Sequence, residues 1–447
     1  KAGLEQYYET YLRGKNGERK FYIDNVGRIS EIISSTDSVA GDDLYLSIDA
    51  DLQMATYLAL QNEIAAIVYS NIKSGEIPIN DVYTALIGNS VINTEHFSKS
   101  KASDTEKSVL SVFKSRQKTT LGKIKQELTS SPEALNTMSD EVLDEFTYII
   151  SMLKDDQVLL KNEIDTSDSV YQKWKNQKIS PKEYLSYCIT QHWIDISQLN
   201  VDEKYADSTE VYDALCKYIL KNIKTDTEFS KIIYQYMITR GEISPRQLCL
   251  ILFDQGVLDY DDATVNKLKN GSLSPRDFLM KKIYNIEITP AQLALEPCTG
   301  SCVVTDEKTG EIRAMVSYPG YDSNKLANGV DSEYFASLQH DKSSPLLNYA
   351  TQQKTAPGST FKLVSATAGL AENVITTSDQ IRCTGIYNDI SNKPKCWIYP
   401  GAHGMDNVSE ALRDSCNVFF YTTGFRLASK DTGSYDDENG MKYIQKY

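Results

Sequence analysis

The segment Pro357-Gly358-Ser359-Thr360-Phe361-Lys362 places a serine and a lysine three positions apart at a predicted helix start. Residues three apart on a helix share one face, so we expect the lysine ammonium group beside the serine hydroxyl. A helix N-terminus disfavours positive charge, which predicts a pKa below the ordinary lysine value for Lys362. A neutral amine can accept the proton of a serine that attacks a carbonyl carbon. Ser359 and Lys362 therefore predict nucleophilic catalysis.

A second polar group follows Ser359 by 56 positions, in the segment Asp414-Ser415-Cys416-Asn417. Ser415 could relay a proton, and the side-chain amide of Asn417 could hold Lys362 or a substrate carbonyl. A helix cap or a turn explains the same residue types without any chemistry, and spacing alone leaves both interpretations open.

The Ser-x-x-Lys spacing is unspecific by itself. Five further serines are followed by a lysine three positions later: Ser70, Ser98, Ser111, Ser115 and Ser151. Ser359 differs from them because Pro357-Gly358 precede it, an apolar helix is predicted after it, and a predicted strand pair comes before it in the chain. We therefore place the candidate nucleophile at Ser359 and treat the other five as coincidences of spacing.

Length and composition limit the classes of protein. The 447 residues favour two or three domains of roughly 150 residues each. Lys and Arg number 47 and Asp and Glu 61, and a net charge of −14 argues against a broad nucleic-acid-binding surface, which needs a basic face. Hydrophobic residues make up 41%, which allows a large core. No run approaches the roughly 18 apolar residues of a membrane helix, and residues 1–5 lack a secretory-signal pattern.

The cysteines and histidines do not form a known ligand motif. Eight cysteines are spread without a Cys-x-x-Cys pair, and the four histidines form no His-Glu-x-x-His. We therefore predict no metal and no cofactor, with most cysteines buried as small apolar side chains. Cys383 and Cys396 flank one loop, and the sequence leaves open whether they pair.

A long helical stretch occupies about residues 76–287 and carries the same local device four times. A Ser or Thr precedes a Pro, and two positions later comes a Glu, Gln or Asp, at Ser180-Pro181, Ser244-Pro245, Ser274-Pro275 and Thr289-Pro290. Ser and Thr cap helices, and Pro suits the first helical position because its missing N–H costs nothing there. The device predicts four helix starts, and its uneven spacing argues against a solenoid.

Shorter elements flank this stretch. Before it we predict a helix over 4–12, strands over 20–24 and 44–48, and a helix that Asp49 caps and that runs to about Tyr69. After Gly300 we predict strands over 302–304 and 312–316 around a turn, then helices over 359–371 and to about 425. Strands and helices around an antiparallel hairpin indicate an α+β core.

The order Ser-x-x-Lys and then Ser-x-Asn is that of penicillin-binding proteins and serine β-lactamases. Five wider segments resemble class B penicillin-binding proteins: residues 3–8, 44–49, 315–322, 345–350 and 356–362. Of these, residues 345–350 resemble the cell-elongation type more than the division type. The likeness covers about 1–80 and 288–447. The resemblance implies a penicillin-binding transpeptidase fold, partial in this chain.

The resemblance also implies a domain organisation. Residues 1–48 would be the end of an N-terminal pedestal or dimerisation-type domain, and 49–80 the first part of the transpeptidase domain. Residues 81–287 would be a helical insertion that the best-known members of the family lack. It would either pack its amphipathic helices on themselves or dock other cell-wall proteins. Residues 288–447 would carry both motifs.

The activity that the resemblance implies is a D,D-transpeptidase that cross-links peptidoglycan. Ser359 would attack the D-Ala-D-Ala bond of a stem peptide, with Lys362 as general base. Ser415 would pass a proton to the leaving amine, and Asn417 would orient Lys362 and the donor peptide. The backbone N–H of Ser359 would supply half of an oxyanion hole. β-Lactams would acylate the same serine.

The family's third motif, Lys-Thr/Ser-Gly, does not occur in the 30 residues after Asn417. Lys308-Thr309-Gly310 and Lys73-Ser74-Gly75 match it by letters but lie upstream, and we interpret both as coincidences. We therefore expect the chain to be truncated at both ends, with a membrane anchor upstream, an extracytoplasmic location, and cell-elongation proteins as partners. The alternatives are a catalytically inactive scaffold or β-lactam sensor of the same fold, and a β-lactamase, which residues 1–48 and the insertion disfavour.

Overall fold

The computed structural model describes four parts of the 447-residue chain: residues 3–130, 133–201, 206–327 and 329–447. They form two compact units, Lys1–Gln353 and Lys354–Tyr447, and each unit is described by itself. Within the described ranges, no helix is both long and apolar enough to cross a membrane.

The first unit begins with two short helices and a β-hairpin: α1 (Gly3–Tyr7), α2 (Glu9–Leu12), β1 (Glu18–Ile23) and β2 (Ile29–Thr36). The two strands pair antiparallel, and every residue of both is exposed. The predicted helix over 4–12 and strand over 20–24 are confirmed, with a break in the helix at Tyr8. The sequence does not predict β2, because its apolar residues do not alternate strictly.

The predicted strand over residues 44–48 is wrong, since these residues form no strand ladder. Leu44 and Leu46 remain 38% and 54% exposed, so their alternation has no apolar face to pack against. The end of the segment is held by single hydrogen bonds to a later strand. Ser47 Oγ donates to the Ile312 carbonyl at 2.8 Å, and the Asp49 N–H donates to the Arg313 carbonyl at 2.9 Å.

A long helix, α3 (Ala50–Ser74), starts where the sequence predicts it. The Asp49 carboxylate accepts a hydrogen bond from the Leu52 N–H at 3.0 Å, which satisfies one of the unpaired donors of the first turn. The helix continues beyond the predicted end near Tyr69. It ends at Gly75, whose φ of 87° is the left-handed conformation that glycine adopts without a steric penalty.

Further helices follow α3 in the first unit. They are α4 (Ile79–Gly88), α5 (Asp104–Thr129), α6 (Asp140–Asp155), α7 (Ser169–Lys175), α8 (Pro181–Thr190), α9 (Ser208–Ile223), α10 (Thr227–Thr239), α11 (Pro245–Asp254), α12 (Asp262–Asn270), α13 (Pro275–Tyr284) and α14 (Pro290–Leu293). Single 3₁₀ turns lie at Thr94–Ser98, Leu135–Thr137 and Ile196–Gln198.

The four predicted Ser/Thr-Pro helix starts are confirmed at α8, α11, α13 and α14. In each, the Ser or Thr side chain accepts a hydrogen bond from the backbone N–H three residues later. In α11 the contact is reciprocal, because Gln247 Oε1 accepts the Ser244 N–H at 2.9 Å. Each cap is worth about 1 kcal/mol of helix stability.

One hydrophobic core runs through this part of the chain, from Val68 to Leu293. Phe146, Phe229 and Leu252 are fully buried in it. The amphipathic helices therefore pack on one another and bury their apolar faces among themselves.

The first unit continues with an antiparallel hairpin of β3 (Gly300–Thr305) and β4 (Ile312–Tyr318), as the sequence predicts. Lys308-Thr309-Gly310 lies in the turn, where the Lys308 and Thr309 N–H groups donate to Asp306 Oδ1. These hydrogen bonds explain Lys308-Thr309-Gly310 as residues of a tight turn. A 3₁₀ turn (Ser323–Leu326) and two helices, α15 (Ser332–His340) and α16 (Tyr349–Gln352), complete the unit.

The second unit packs helices around a small sheet. Its elements are a 3₁₀ turn (Gly358–Phe361), α17 (Lys362–Ala371), β5 (Ile381–Cys383), β6 (Gly404–Asp406), α18 (Val408–Arg413), α19 (Asn417–Ala428) and α20 (Asp437–Ile444). β5 and β6 pair antiparallel. Ala411, Cys416 and Phe419 are fully buried at its centre. Small antiparallel sheets with helices confirm the predicted α+β class.

Two glutamates one turn apart in α6 have opposite surroundings. Glu141 is paired with Arg116 at 3.1 Å and with Arg240 at 2.7 Å. Glu145 is buried beside Glu141, and its Oε1 atom has no hydrogen-bond partner within the described ranges. Burial, and then the Glu141 charge, raise the pKa of Glu145 to about 8.

We expect Glu145→Gln to reduce the loss of unfolding free energy that occurs as the pH rises. With a folded pKa of about 8, the native state keeps a proton that the unfolded state releases, so stability falls as pH rises towards 8. The slope for this one group is at most about 1.4 kcal/mol per pH unit. Denaturant unfolding at pH 5 and pH 8 measures it, with the exposed Glu76→Gln as control. Equal pH dependence in both variants would contradict the assignment.

Candidate active site

Ser359 lies in the 3₁₀ turn that leads into α17, and Gly358 before it has a φ of 59°. The sequence predicts a regular helix from Ser359, but the structure has this tighter turn first and α17 begins at Lys362. The Ser359 side chain is exposed, so a substrate can reach its hydroxyl.

Lys362 donates three hydrogen bonds from its ammonium group. The acceptors are the Ser415 carbonyl at 2.8 Å, Ser415 Oγ at 2.9 Å and Asn417 Oδ1 at 2.6 Å. An ammonium group has three N–H donors, so all of them are satisfied. The two candidate motifs, which are separated by more than 50 residues in the sequence, therefore meet at this one nitrogen.

Ser415 forms the bridge to Ser359, since its Oγ donates to Ser359 Oγ at 2.9 Å. We predict that the Lys362 ammonium lies beside the Ser359 hydroxyl, and Ser415 hydrogen-bonds both of these groups. Over the described part of the chain, no hydrogen bond joins Lys362 Nζ to Ser359 Oγ, and the contact runs through Ser415. The three N–H donors of Lys362 go to the Ser415 carbonyl, Ser415 Oγ and Asn417 Oδ1, so Ser415 is the residue that hydrogen-bonds both the amine and Ser359.

The backbone at the end of α18 presents Ser415 to both partners. Ser415 has a φ of 49°, the left-handed region that non-glycine residues adopt rarely and mostly at helix ends. The Ser415 N–H bonds to the Leu412 carbonyl at 3.3 Å, and the Cys416 N–H bonds to Ala411 at 2.9 Å. α19 then starts at Asn417, so a turn between two helices carries both polar groups.

The pKa of Lys362 is lower than the ordinary lysine value, as predicted, but the leading cause differs. The Lys362 side chain is partly buried, and this loss of water contact disfavours the charged form and lowers the pKa. The nearby Cys396 and Cys416 act in the opposite direction. The direction suits an amine that accepts protons.

A second cluster lies behind this site. The side chains of Cys383, Cys396, His403 and Cys416 bring their ligand atoms to within 4.8 Å of one another. The three cysteines are buried free thiols, so Cys383 and Cys396 do not pair as a disulfide. Three sulfurs and one imidazole are a donor set of tetrahedral structural Zn²⁺ sites. These residues therefore fit zinc.

The sequence prediction of no metal site missed this cluster. Known ligand motifs place their residues close together in the sequence, whereas these four come from β5, the loop after it, the residue before β6 and the turn between α18 and α19. The available signal is Cys416 itself, which lies between Ser415 and Asn417. A buried cysteine inside a polar motif is a candidate ligand as well as a small apolar residue.

The cluster contacts the candidate site through the backbone. The Asn417 N–H donates to Cys396 Sγ at 3.3 Å. Burial raises the pKa of Cys396, but the N–H groups of Asn417, Val418 and Ile398 outweigh it and leave the pKa lower than usual. A helix N-terminus stabilises a thiolate in this way.

Comparisons with known proteins agree with the geometry. Residues 300–445 match the model of the penicillin-binding protein transpeptidase domain, and residues 1–46 match the penicillin-binding protein dimerisation domain. The peptidoglycan D,D-transpeptidase MrdA of Escherichia coli (strain K12) is 35% identical over 136 residues, which cover 28% of this chain and 20% of MrdA. PbpA of Mycobacterium tuberculosis, also a peptidoglycan D,D-transpeptidase, is 34% identical over 140 residues, 30% of this chain and 28% of PbpA.

The match to solved structures is partial. A penicillin-binding protein (PBP2) from Helicobacter pylori is 28% identical, with a TM-score of 0.29, and the match covers 33% of this chain and 26% of that one. The alignments thus span about a fifth to a third of the relatives. The expected resemblance to penicillin-binding proteins is confirmed for residues 1–46 and 300–445.

We expect the purified protein to carry about one zinc ion per chain, bound by the Cys/His cluster. Cys383→Ser removes one of the four ligands, so zinc content by elemental analysis and melting temperature both fall. Cys302→Ser is the control, because Cys302 lies in β3 outside the cluster. Equal zinc content in both variants, or none after reduced protein is supplied with Zn²⁺, would contradict the assignment.

Proposed function

We propose that the chain is part of a peptidoglycan D,D-transpeptidase and carries its acylating serine, starting from the match of residues 300–445 to the transpeptidase domain. The observation that carries the proposal is the hydrogen-bonded series from Asn417 through Lys362 and Ser415 to Ser359. It joins a nucleophile, a relay and a base, which is what acyl transfer through a serine requires.

In the proposed acylation, Lys362 acts as a neutral amine. Ser359 then donates its proton towards Ser415 Oγ while Ser415 donates to Lys362 Nζ, the reverse of the hydrogen bonds around the ammonium form. Ser359 Oγ attacks the carbonyl carbon between the two D-Ala residues. The C–N bond breaks, and the leaving D-Ala amine takes a proton that Lys362 returns through Ser415.

Deacylation uses the same groups. The amine of a neighbouring stem peptide attacks the acyl-ester, its proton passes to Lys362, and Ser359 Oγ is released with a proton. Asn417 holds the Lys362 amine in place through its Oδ1 atom and can orient the donor peptide with its amide. The Ser359 N–H supplies one donor to the oxyanion. β-Lactams acylate the same hydroxyl because they mimic D-Ala-D-Ala.

The proposed setting follows from the substrate. Peptidoglycan stem peptides are cross-linked outside the cytoplasm, so we place the whole protein at the extracytoplasmic face of the cell membrane. Cell-elongation proteins are the proposed partners, on the resemblance of residues 345–350 to the elongation type. Nucleic acid is not a proposed partner, given the net charge of −14.

We expect fluorescent penicillin to label the whole protein, and Ser359→Ala to abolish the label. Ser359 supplies the only oxygen that this proposal uses to form the acyl bond, so the loss is complete. Ser111→Ala is the matched control, because Ser111 has the same spacing to a lysine on the exposed face of α5. Gel fluorescence and the mass of the labelled peptide measure the result.

Label that survives Ser359→Ala would refute Ser359 as the nucleophile. Label at Ser359 without cross-linking of stem peptides in vitro would favour the β-lactam sensor. No label on a folded whole protein would favour the inactive scaffold.

A further inference from the structure

The turn that presents Ser415 is held from outside by two consecutive residues of another loop. The indole N–H of Trp397 donates to the Asp414 carbonyl at 3.0 Å. The neighbouring Cys396 Sγ accepts the Asn417 N–H at 3.3 Å. The two contacts lie at the first and last residues of the segment 414–417.

The loop that makes these contacts is itself fixed. Its backbone pairs with an earlier part of the same loop, where Lys395 forms a bridge with Ile386 and the Cys396 N–H donates to the Gly385 carbonyl at 2.9 Å. A Cβ on Gly385 would lie 2.1 Å from the Gly401 carbonyl oxygen, so the chain passes very closely here. The donor of Trp397 therefore comes from a fixed backbone.

Burial does not explain Trp397. Its side chain is 64% exposed, and its ring lies at a tilt 5.5 Å from that of His403. An exposed tryptophan gains little from the hydrophobic effect in the folded state. Its specific contribution is the indole N–H, which serves a carbonyl that the end of a helix leaves without an intrahelical partner.

We propose that Trp397 is a positioning residue for the transfer of the proton between Ser359 and Lys362, a role that rests on the proposed function. The bond to the Asp414 carbonyl fixes the peptide that leads into Ser415. Ser415 stays in its left-handed conformation, with φ at 49°, only if that peptide keeps its orientation. In this conformation both its carbonyl and its Oγ meet Lys362, and Oγ also meets Ser359.

Trp397→Phe tests the role, because it keeps an aromatic ring and removes the N–H. Tyr399→Phe is the matched control, a loss of one polar group from a 45% exposed aromatic residue in the same loop. Stopped-flow labelling with fluorescent penicillin separates the dissociation constant of the initial complex from the acylation rate constant. We expect Trp397→Phe to lower the rate constant about tenfold, the effect of about one hydrogen bond, with the dissociation constant within about twofold. Tyr399→Phe should match the wild type.

Hydrogen exchange provides a second readout that does not need acylation. Loss of the indole bond should speed exchange of the peptide that covers residues 414–419 about tenfold, with the melting temperature and zinc content of the wild type retained. Wild-type acylation and exchange in Trp397→Phe would overturn the positioning role. So would a loss of melting temperature or zinc that accounts for the slower rate. An unlabelled wild type would count against the proposed function alone, and exchange would still decide the role of Trp397.

Discussion

The site depends on one half-buried cation with three acceptors. Lys362 is partly withdrawn from water, and the Ser415 carbonyl, Ser415 Oγ and Asn417 Oδ1 accept hydrogen bonds from its three N–H groups. Removing an ammonium group from water disfavours its charge, and hydrogen bonds to that charge restore part of the loss. The net pKa lies below the ordinary lysine value because burial outweighs the opposing effects, so the contacts position the amine while burial favours its neutral form.

The other elements of the second unit hold Lys362 and Asn417 in place. α17 carries Lys362 and packs against α19, which starts at Asn417. Gly369 allows the two helices to approach closely, because a Cβ there would lie 2.7 Å from Thr423 Cγ2. Behind them, the Cys/His cluster places Cys416 next to Cys383 of β5, Cys396 of the following loop and His403. Ser415 can therefore hold a conformation that an unsupported serine would leave, since strain of this kind persists only where the surroundings over-determine it.

Local rules predict local structure in this chain. The Ser/Thr-Pro caps and the Asp49 cap each accept a hydrogen bond from the backbone N–H three residues later. All five helices begin where the sequence predicts them. Ser359, Lys362, Ser415 and Asn417 were found by type, spacing and resemblance. Local rules could not predict the bridge through Ser415, which joins residues 56 positions apart, or the Cys/His cluster, whose members come from separate segments. The predicted strand over 44–48 is wrong because alternating apolar residues indicate a strand only where one face is buried.

The protonation of Lys362 tests the account most directly. An NMR titration of isotope-labelled lysine, with Lys362→Arg to assign the signal, gives the pKa of this one amine in the folded protein. We expect a value below 10.5, and a further fall in Ser415→Ala, because that variant removes one acceptor from the charged form. A Lys362 signal that titrates at or above 10.5 and does not change in Ser415→Ala would contradict this expectation.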